Sequence, residues 1–146
     1  MLVYQWANDP TTRSLSYSTD PIPLNSHMEW FNKKIGSEDC VYLILLVDDI
    51  PAGQLRYDIK KNDFIISFGI DPAFRKKGLG TAILKLGENY LTAVFSESRL
   101  TLIGYVKNNN IPSLISFERN GYVREEANQA EYPDSSKFIK RINESI

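Results

Sequence analysis

Between Phe74 and Ile83 the chain reads FRKKGLGTAI. Three successive cations, Arg75, Lys76 and Lys77, lead into Gly78-Leu79-Gly80-Thr81 and then an apolar stretch. These residue types in this order suit the holding of a phosphate. Glycines at the first turn of a helix leave backbone N–H groups open, and that terminus carries about half a positive charge. Two familiar phosphate loops are excluded. GxxxxGK[ST] does not fit, and the dinucleotide fingerprint needs a third glycine where Ile83 stands. From Arg56 to Lys85 there are seven Lys and Arg against three Asp, in a chain whose net charge is −1. A solvated basic turn ahead of a helix fits the same residues.

Other chemistries are limited by composition. The sequence has one Cys and one His, which excludes an internal disulfide and a zinc cluster, so no metal is expected. Cys40 opens an apolar run and reads as a buried, inert thiol. The near-neutral charge gives no sign of a nucleic-acid partner. The run Val41–Val47 is too short to span a bilayer. The opening MLVYQWANDP lacks the pattern of a secretory leader, and a cytoplasmic location is expected.

The elements that must position these residues follow from the period of the apolar positions. With 146 residues, one domain spanning 1–146 is expected. Residues 2–8 form a short helical piece ended by Asp9-Pro10, and Thr11–Tyr17 a further turn or two. Leu24, Met28, Phe31 and Ile35 recur at helical spacing up to Gly36. CVYLILLV (40–47) reads as a strand buried on both faces, followed by strands 54–59 and 64–70 in an antiparallel meander. Leu79, Ile83, Leu86 and Tyr90 mark a helix, and 100–106 a strand. Asn110 starts a helix that stops at Gly121, and strands 121–127 and 136–142 close the chain. The class is α+β, a mostly antiparallel mixed sheet with helices on both faces.

In this setting ISFGIDPAFRKKGLGTAIL resembles the acetyl-CoA-binding segment of the GNAT acetyltransferase superfamily, Arg/Gln-x-x-Gly-x-Gly/Ala after a strand. NIPSLISFERNGY (110–122) is similar to that superfamily's second motif helix, and with the meander the resemblance covers about residues 40–127. It implies a V-shaped splay between the family's fourth and fifth strands. Acetyl-CoA, the acetyl donor, would lie in that splay like an added strand. The implied contacts are Phe68, Gly69 and Ile70 along the strand, the 75–81 turn around the pyrophosphate, and Asn110, Ser113 and Phe117 on the second helix. Asn110 also fits a plain helix N-cap. The family's usual first strand is not seen ahead of Trp6: either the domain does without it, or the sequence is cut from a longer protein, or its start lies upstream. In the first case an exposed sheet edge would be open to a second copy, giving a homodimer.

WANDPTTRSLSYS followed by PIPLNSHMEWF resembles the N-terminal half of enzymes that acetylate a nucleotide-linked amino sugar in pseudaminic-acid-type pathways. That resemblance implies an acceptor pocket at Asn8, Arg13, Tyr17, His27 and Trp30. His27 and Trp30 are three apart, on one side of a helix. Packing alone would also account for Trp6 and Trp30, and a local ion pair with Asp9 for Arg13. The implied reaction is direct attack of a primary amine on the thioester, with a backbone N–H near Ile70 polarising the carbonyl. The family's usual tyrosine acid falls on Phe117, which has no proton to give. Its strand glutamate falls on Tyr105, so the Tyr105 hydroxyl is expected to act as acid or to order water. Two other activities stay open: acetylation of a protein N-terminus or small amine, and acetyl-CoA binding without turnover.

Overall fold

The structure, a computed structural model, describes residues 1–144. Three helices come first: α1 (Leu2–Ala7), α2 (Pro10–Leu15) and α3 (Leu24–Ile35). The meander follows as β1 (Cys40–Val47), β2 (Ile50–Lys60) and β3 (Asp63–Ile70). After a 3₁₀ turn at Pro72–Phe74 come α4 (Leu79–Val94), β4 (Leu100–Lys107), α5 (Ile111–Arg119), β5 (Val123–Glu126) and β6 (Ser135–Ile142). Asp48 and Asp49 both take positive φ between β1 and β2, which suits a two-residue hairpin whose twist matches the strands.

The six strands lie in the order β1-β2-β3-β4-β6-β5. Only β3 and β4 run parallel, and they pair over four positions, Asp63↔Thr101 to Ile66↔Gly104. Beyond Ile66 and Gly104 the two strands part, while β2 follows β3 all the way to Ile70 and β6 follows β4 to Lys107. The expected splay is therefore present, between the third and fourth strands of this chain. Among the described residues no strand precedes Cys40, so β1 is a sheet edge.

The core lies between the sheet and α4 with α5. Leu55, Tyr57, Phe64, Ile66, Leu102 and Phe138 meet Ile83, Leu84, Leu91, Leu114 and Phe117 there. Leu86 and Tyr90, expected on the inner face of α4, are instead exposed. The buried stripe runs through Ile83, Leu84, Gly87, Glu88 and Leu91, one position round the helix.

The opposite face of the sheet is polar where α3 crosses it. Tyr42, Arg56 and Ser67 are cross-strand neighbours there, as are Ile44, Gln54 and Gly69. This overturns two expectations. β1 is not buried on both faces: Ile44 and Leu46 are exposed because the strand is an edge with one face only partly covered. The aliphatic stripe of α3 also faces outward, leaving Leu24, Met28 and Ile35 exposed. Its inner side carries His27, Trp30 and Phe31, with Trp30 and Phe31 set edge-on to Tyr42. A helix lying over arginine and tyrosine finds better partners in rings than in aliphatic side chains.

Candidate functional site

The gap between β3 and β4 is lined by backbone. The Asp71 N–H donates to the Ala52 carbonyl, which fixes the phase of β3 against β2. Antiparallel pairing alternates, so Ser67 and Gly69 turn their amides to β2, while Phe68 and Ile70 turn theirs into the gap. Gly69 has open space where a Cβ would project. An extended thioester arm fits such a gap as an additional strand.

At the end of β3 the phosphate-type turn takes shape. Asp71 caps the 3₁₀ turn by accepting from the Ala73 N–H. Lys76 has a φ of 63° and Gly78 a φ of 74°, and Gly78 is the N-cap of α4. A left-handed cap followed at once by a helix aims the N–H groups of Leu79, Gly80 and Thr81 away from the helix, toward any anion in front of it. Gly80 has a further reason to be glycine. A Cβ there would come 2.7 Å from Ser116 Oγ of α5 and 3.4 Å from the Phe68 ring. Asn120 ties the helices together by donating to the Thr81 carbonyl at 3.1 Å. The two lysines stay exposed, Lys77 with its Nζ 5.6 Å from the Phe74 ring.

Arg75 does not join them. Its Nε donates to the Ile70 carbonyl at 3.1 Å, and its terminal nitrogen pairs with Asp9 Oδ2 at 2.7 Å. The side chain expected at the pyrophosphate thus turns back to the N-terminal helices, where the part-buried Asp9 carboxylate accepts it. Asn110 caps α5 by accepting from the Ser113 N–H, the plain role open to it. Phe117 is in the core, 2% exposed, between Phe68, Tyr122 and Phe138 and against Gly104. It reaches the apex of the gap only through Phe68 and Gly104.

On the polar face a cavity of about 480 Å³ lies between the sheet and α1–α3. Gly69 and Ile70 form part of its floor, so it opens onto the gap. Trp6, Trp30 and Tyr42 give it aromatic walls, and Arg13, Arg56 and Arg75 supply its charge. No aspartate or glutamate lines it among the described residues. The Arg56 guanidinium sits 4.8 Å over the Trp30 ring, bonds Ser67 Oγ, and shares Asp58 with Lys34. Burial alone would raise the Asp58 pKa, but Lys34 and Arg56 together hold it below the ordinary value. His27 lines the cavity at 5% exposure with its Nε2 unpartnered. Burial lowers its pKa, which favours the neutral imidazole.

The structure brings together Arg13, His27 and Trp30 from the expected acceptor set and leaves out Asn8 and Tyr17. Asn8 uses its side-chain amide at both ends, donating to the Ile22 carbonyl and accepting from the Ile22 N–H, and so closes the loop between α2 and α3. Tyr17 bonds Ser135 and meets Tyr132 edge-on. Arg13 holds the Ser18 and Asp20 carbonyls rather than Asp9. Tyr105, the first β4 residue past the last pair with β3, lies on the face opposite α5, with its ring stacked 3.7 Å from that of Tyr132. Arg56, Tyr42 and Asp9 were not singled out for the site from the sequence. Strand alternation could have placed Tyr42 and Arg56 on one face, and the two Asp-Pro steps could have marked caps. Nothing local shows their long-range partners.

A sheet that splays beside a glycine-capped helix, with a walled cavity opening onto the splay, offers one ligand a strand-like slot and a second ligand a pocket beside it. The chain belongs to the acetyltransferase (GNAT) family, whose model matches residues 2–122. The chain finds no match among curated proteins. Solved structures share its fold. Spermidine N-acetyltransferase from Vibrio cholerae, in complex with CoA and spermine, aligns with a TM-score of 0.82 at 15% identity, over 96% of this chain and 88% of that one. An aminoglycoside acetyltransferase in complex with coenzyme A gives 0.78 at 14% identity, over 97% and 88%. The N-acetyltransferase PseH of Campylobacter jejuni gives 0.70 at 15%, over 97% and 87%.

Proposed function

We propose that the protein moves an acetyl group from acetyl-CoA to a primary amine on a nucleotide-linked amino sugar, with residues 1–146 working as one acetyltransferase unit. The observation that carries this reading is the cavity that opens at Gly69 and Ile70, with three arginines and, among the described residues, no carboxylate on its walls. A polyamine or an aminoglycoside is a polycation and would meet like charge there. A sugar nucleotide brings a pyrophosphate, which arginine forks bind well. The aromatic walls suit the flat face of a sugar or base.

The donor supplies an activated acetyl thioester in the gap. Around it, the Ile70 N–H, turned away from β2, polarises the carbonyl oxygen in this reading, and the N–H groups at the start of α4 with Lys76 and Lys77 hold the phosphates. Arg13 and Arg56 bind the acceptor's anionic group, while neutral His27 and Trp30 shape the pocket round its sugar. Tyr105 flanks the wide end of the gap and serves as acid or water anchor for the departing sulfur. A thiol has an ordinary pKa of about 8.5, so a strong acid is not required there.

Initial rates with a uridine-diphosphate-linked amino sugar, spermidine, kanamycin and an N-terminal peptide test the acceptor. The sugar nucleotide is expected to turn over with the highest kcat/KM. Preference for spermidine or kanamycin would overturn the reading, and a preference for the peptide would favour the N-terminal activity. Tyr105→Phe tests the acid. It should lower kcat by about 10²-fold with acetyl-CoA affinity unchanged, and unchanged turnover would remove Tyr105 from the chemistry.

A further inference from the structure

One short pattern occurs twice in the chain: DPTTR at Asp9–Arg13 and DPAFR at Asp71–Arg75. In each copy the aspartate caps a turn, with proline in the first position after it. One copy lies in the cavity roof, at the start of α2. The other lies in the connector that leads from the gap strand β3 to the anion-facing start of α4. The roof and the connector are bonded to each other at two points. Arg75 of the connector pairs with Asp9 of the roof at 2.7 Å, and Trp6 of the roof donates its indole N–H to Asp71 of the connector at 2.7 Å. Asp9 is spanned further by the Thr12 N–H and hydroxyl, and Arg75 reaches back to the Ile70 carbonyl on the gap strand.

We propose that these two bonds, Arg75–Asp9 and Trp6–Asp71, form a clip that couples phosphate binding at α4 to the shape of the acceptor cavity, with Arg75 as a positioning residue. An anion in front of α4 fixes the turn at Lys76–Gly80. Arg75 is the residue immediately before that turn, and fixing the turn fixes Arg75. Through Asp9 and Trp6 the order passes to α1 and α2, and hence to the walls holding Trp6 and Arg13. The donor thereby prepares the cavity before the acceptor arrives. This inference needs acetyl-CoA as donor and does not depend on which amine is acetylated.

The chain has two tryptophans, Trp6 and Trp30, and both line the cavity, so fluorescence reads it directly. The probe is 3′-phospho-ADP, which carries the phosphate end of coenzyme A without the pantetheine arm and cannot itself cover the cavity. In the wild-type protein it should reduce acrylamide quenching of the tryptophans. Arg75→Gln should bind 3′-phospho-ADP in calorimetry within about 3-fold of wild type yet lose the quenching response. Loss of about tenfold or more in affinity would make Arg75 a phosphate ligand and overturn the proposal. So would a quenching response that survives in Arg75→Gln. If that variant does not fold, Trp6→Phe breaks the other arm. Its remaining reporter, Trp30, should then show no response to the probe, and a wild-type response would overturn the clip.

Discussion

Phe117 shows how a single position can be settled by its neighbour. The family's acid position falls on a ring whose para carbon lies directly against Gly104 of β4. A tyrosine hydroxyl would have to find room beside the Gly104 backbone, on a ring that is only 2% exposed. Phe117→Tyr is therefore expected to destabilise the protein by about 1–3 kcal/mol through overpacking, with a further cost for a buried hydroxyl lacking a partner. It should not raise kcat. Urea unfolding and steady-state rates check both halves, and a gain in turnover at unchanged stability would contradict the packing argument. The position was legible in the sequence, and so was the lack of a proton. The reason for phenylalanine was not, since Gly104 is thirteen residues away on another element.

At the scale of elements, two helix junctions carry the site. The first is the contact of α4 with α5 at Gly80. Adding a methyl there would push into Ser116 Oγ and the Phe68 ring. Gly80→Ala should cost about 1–3 kcal/mol, and Ser116→Ala in the same chain should recover part of it by removing the hydroxyl in the way. A double-mutant cycle on thermal unfolding reads this coupling, and strict additivity would speak against the contact. The second junction is Asp9 between α1 and α2. Burial tends to raise its pKa, but the bonds from Arg75 and Thr12 outweigh it, so the folded-state value lies below the ordinary one. A depressed carboxylate stabilises fully above its unfolded value and loses that contribution as pH falls through the folded one. The wild-type Tm should therefore drop on acidification below about pH 4, and Asp9→Asn should drop less steeply over the same window. Equal slopes would mean that Asp9 gains nothing from its partners.

Across the whole molecule, the decisive feature is a sheet that stays paired on its outer strands and opens in the middle. β3 and β4 share four paired positions and then separate, each still held by its outer neighbour. The gap is thus built into the architecture without a loop that must move. Binding a donor there should stabilise the entire fold. At about 100 times its dissociation constant acetyl-CoA adds ~2.7 kcal/mol, which for a domain of this size raises Tm by roughly 5–10 °C. NADH at the same concentration should leave Tm unchanged. An acetyl-CoA shift no larger than that with NADH would mean that the gap does not take the thioester arm.

The sequence by itself determined the elements, because their signals are local. Apolar period and glycine stops marked each helix and strand, although β2 starts at Ile50, four residues ahead of the expected 54. It also determined the glycine turn at the start of α4, since Gly78 and Gly80 at a helix start are read from neighbours in the chain. What only the tertiary structure decided is which side chains meet. Arg75 sits beside two lysines in sequence yet pairs with Asp9, 66 residues away. Asn8 and Tyr17 lie in the acceptor segment yet are taken up by Ile22 and Ser135. His27, Trp30 and Phe31 turned inward in place of an aliphatic stripe because the sheet beneath α3 is polar. A charged or polar side chain goes to whichever partner best offsets its desolvation, and that partner is fixed by the fold rather than by proximity along the chain.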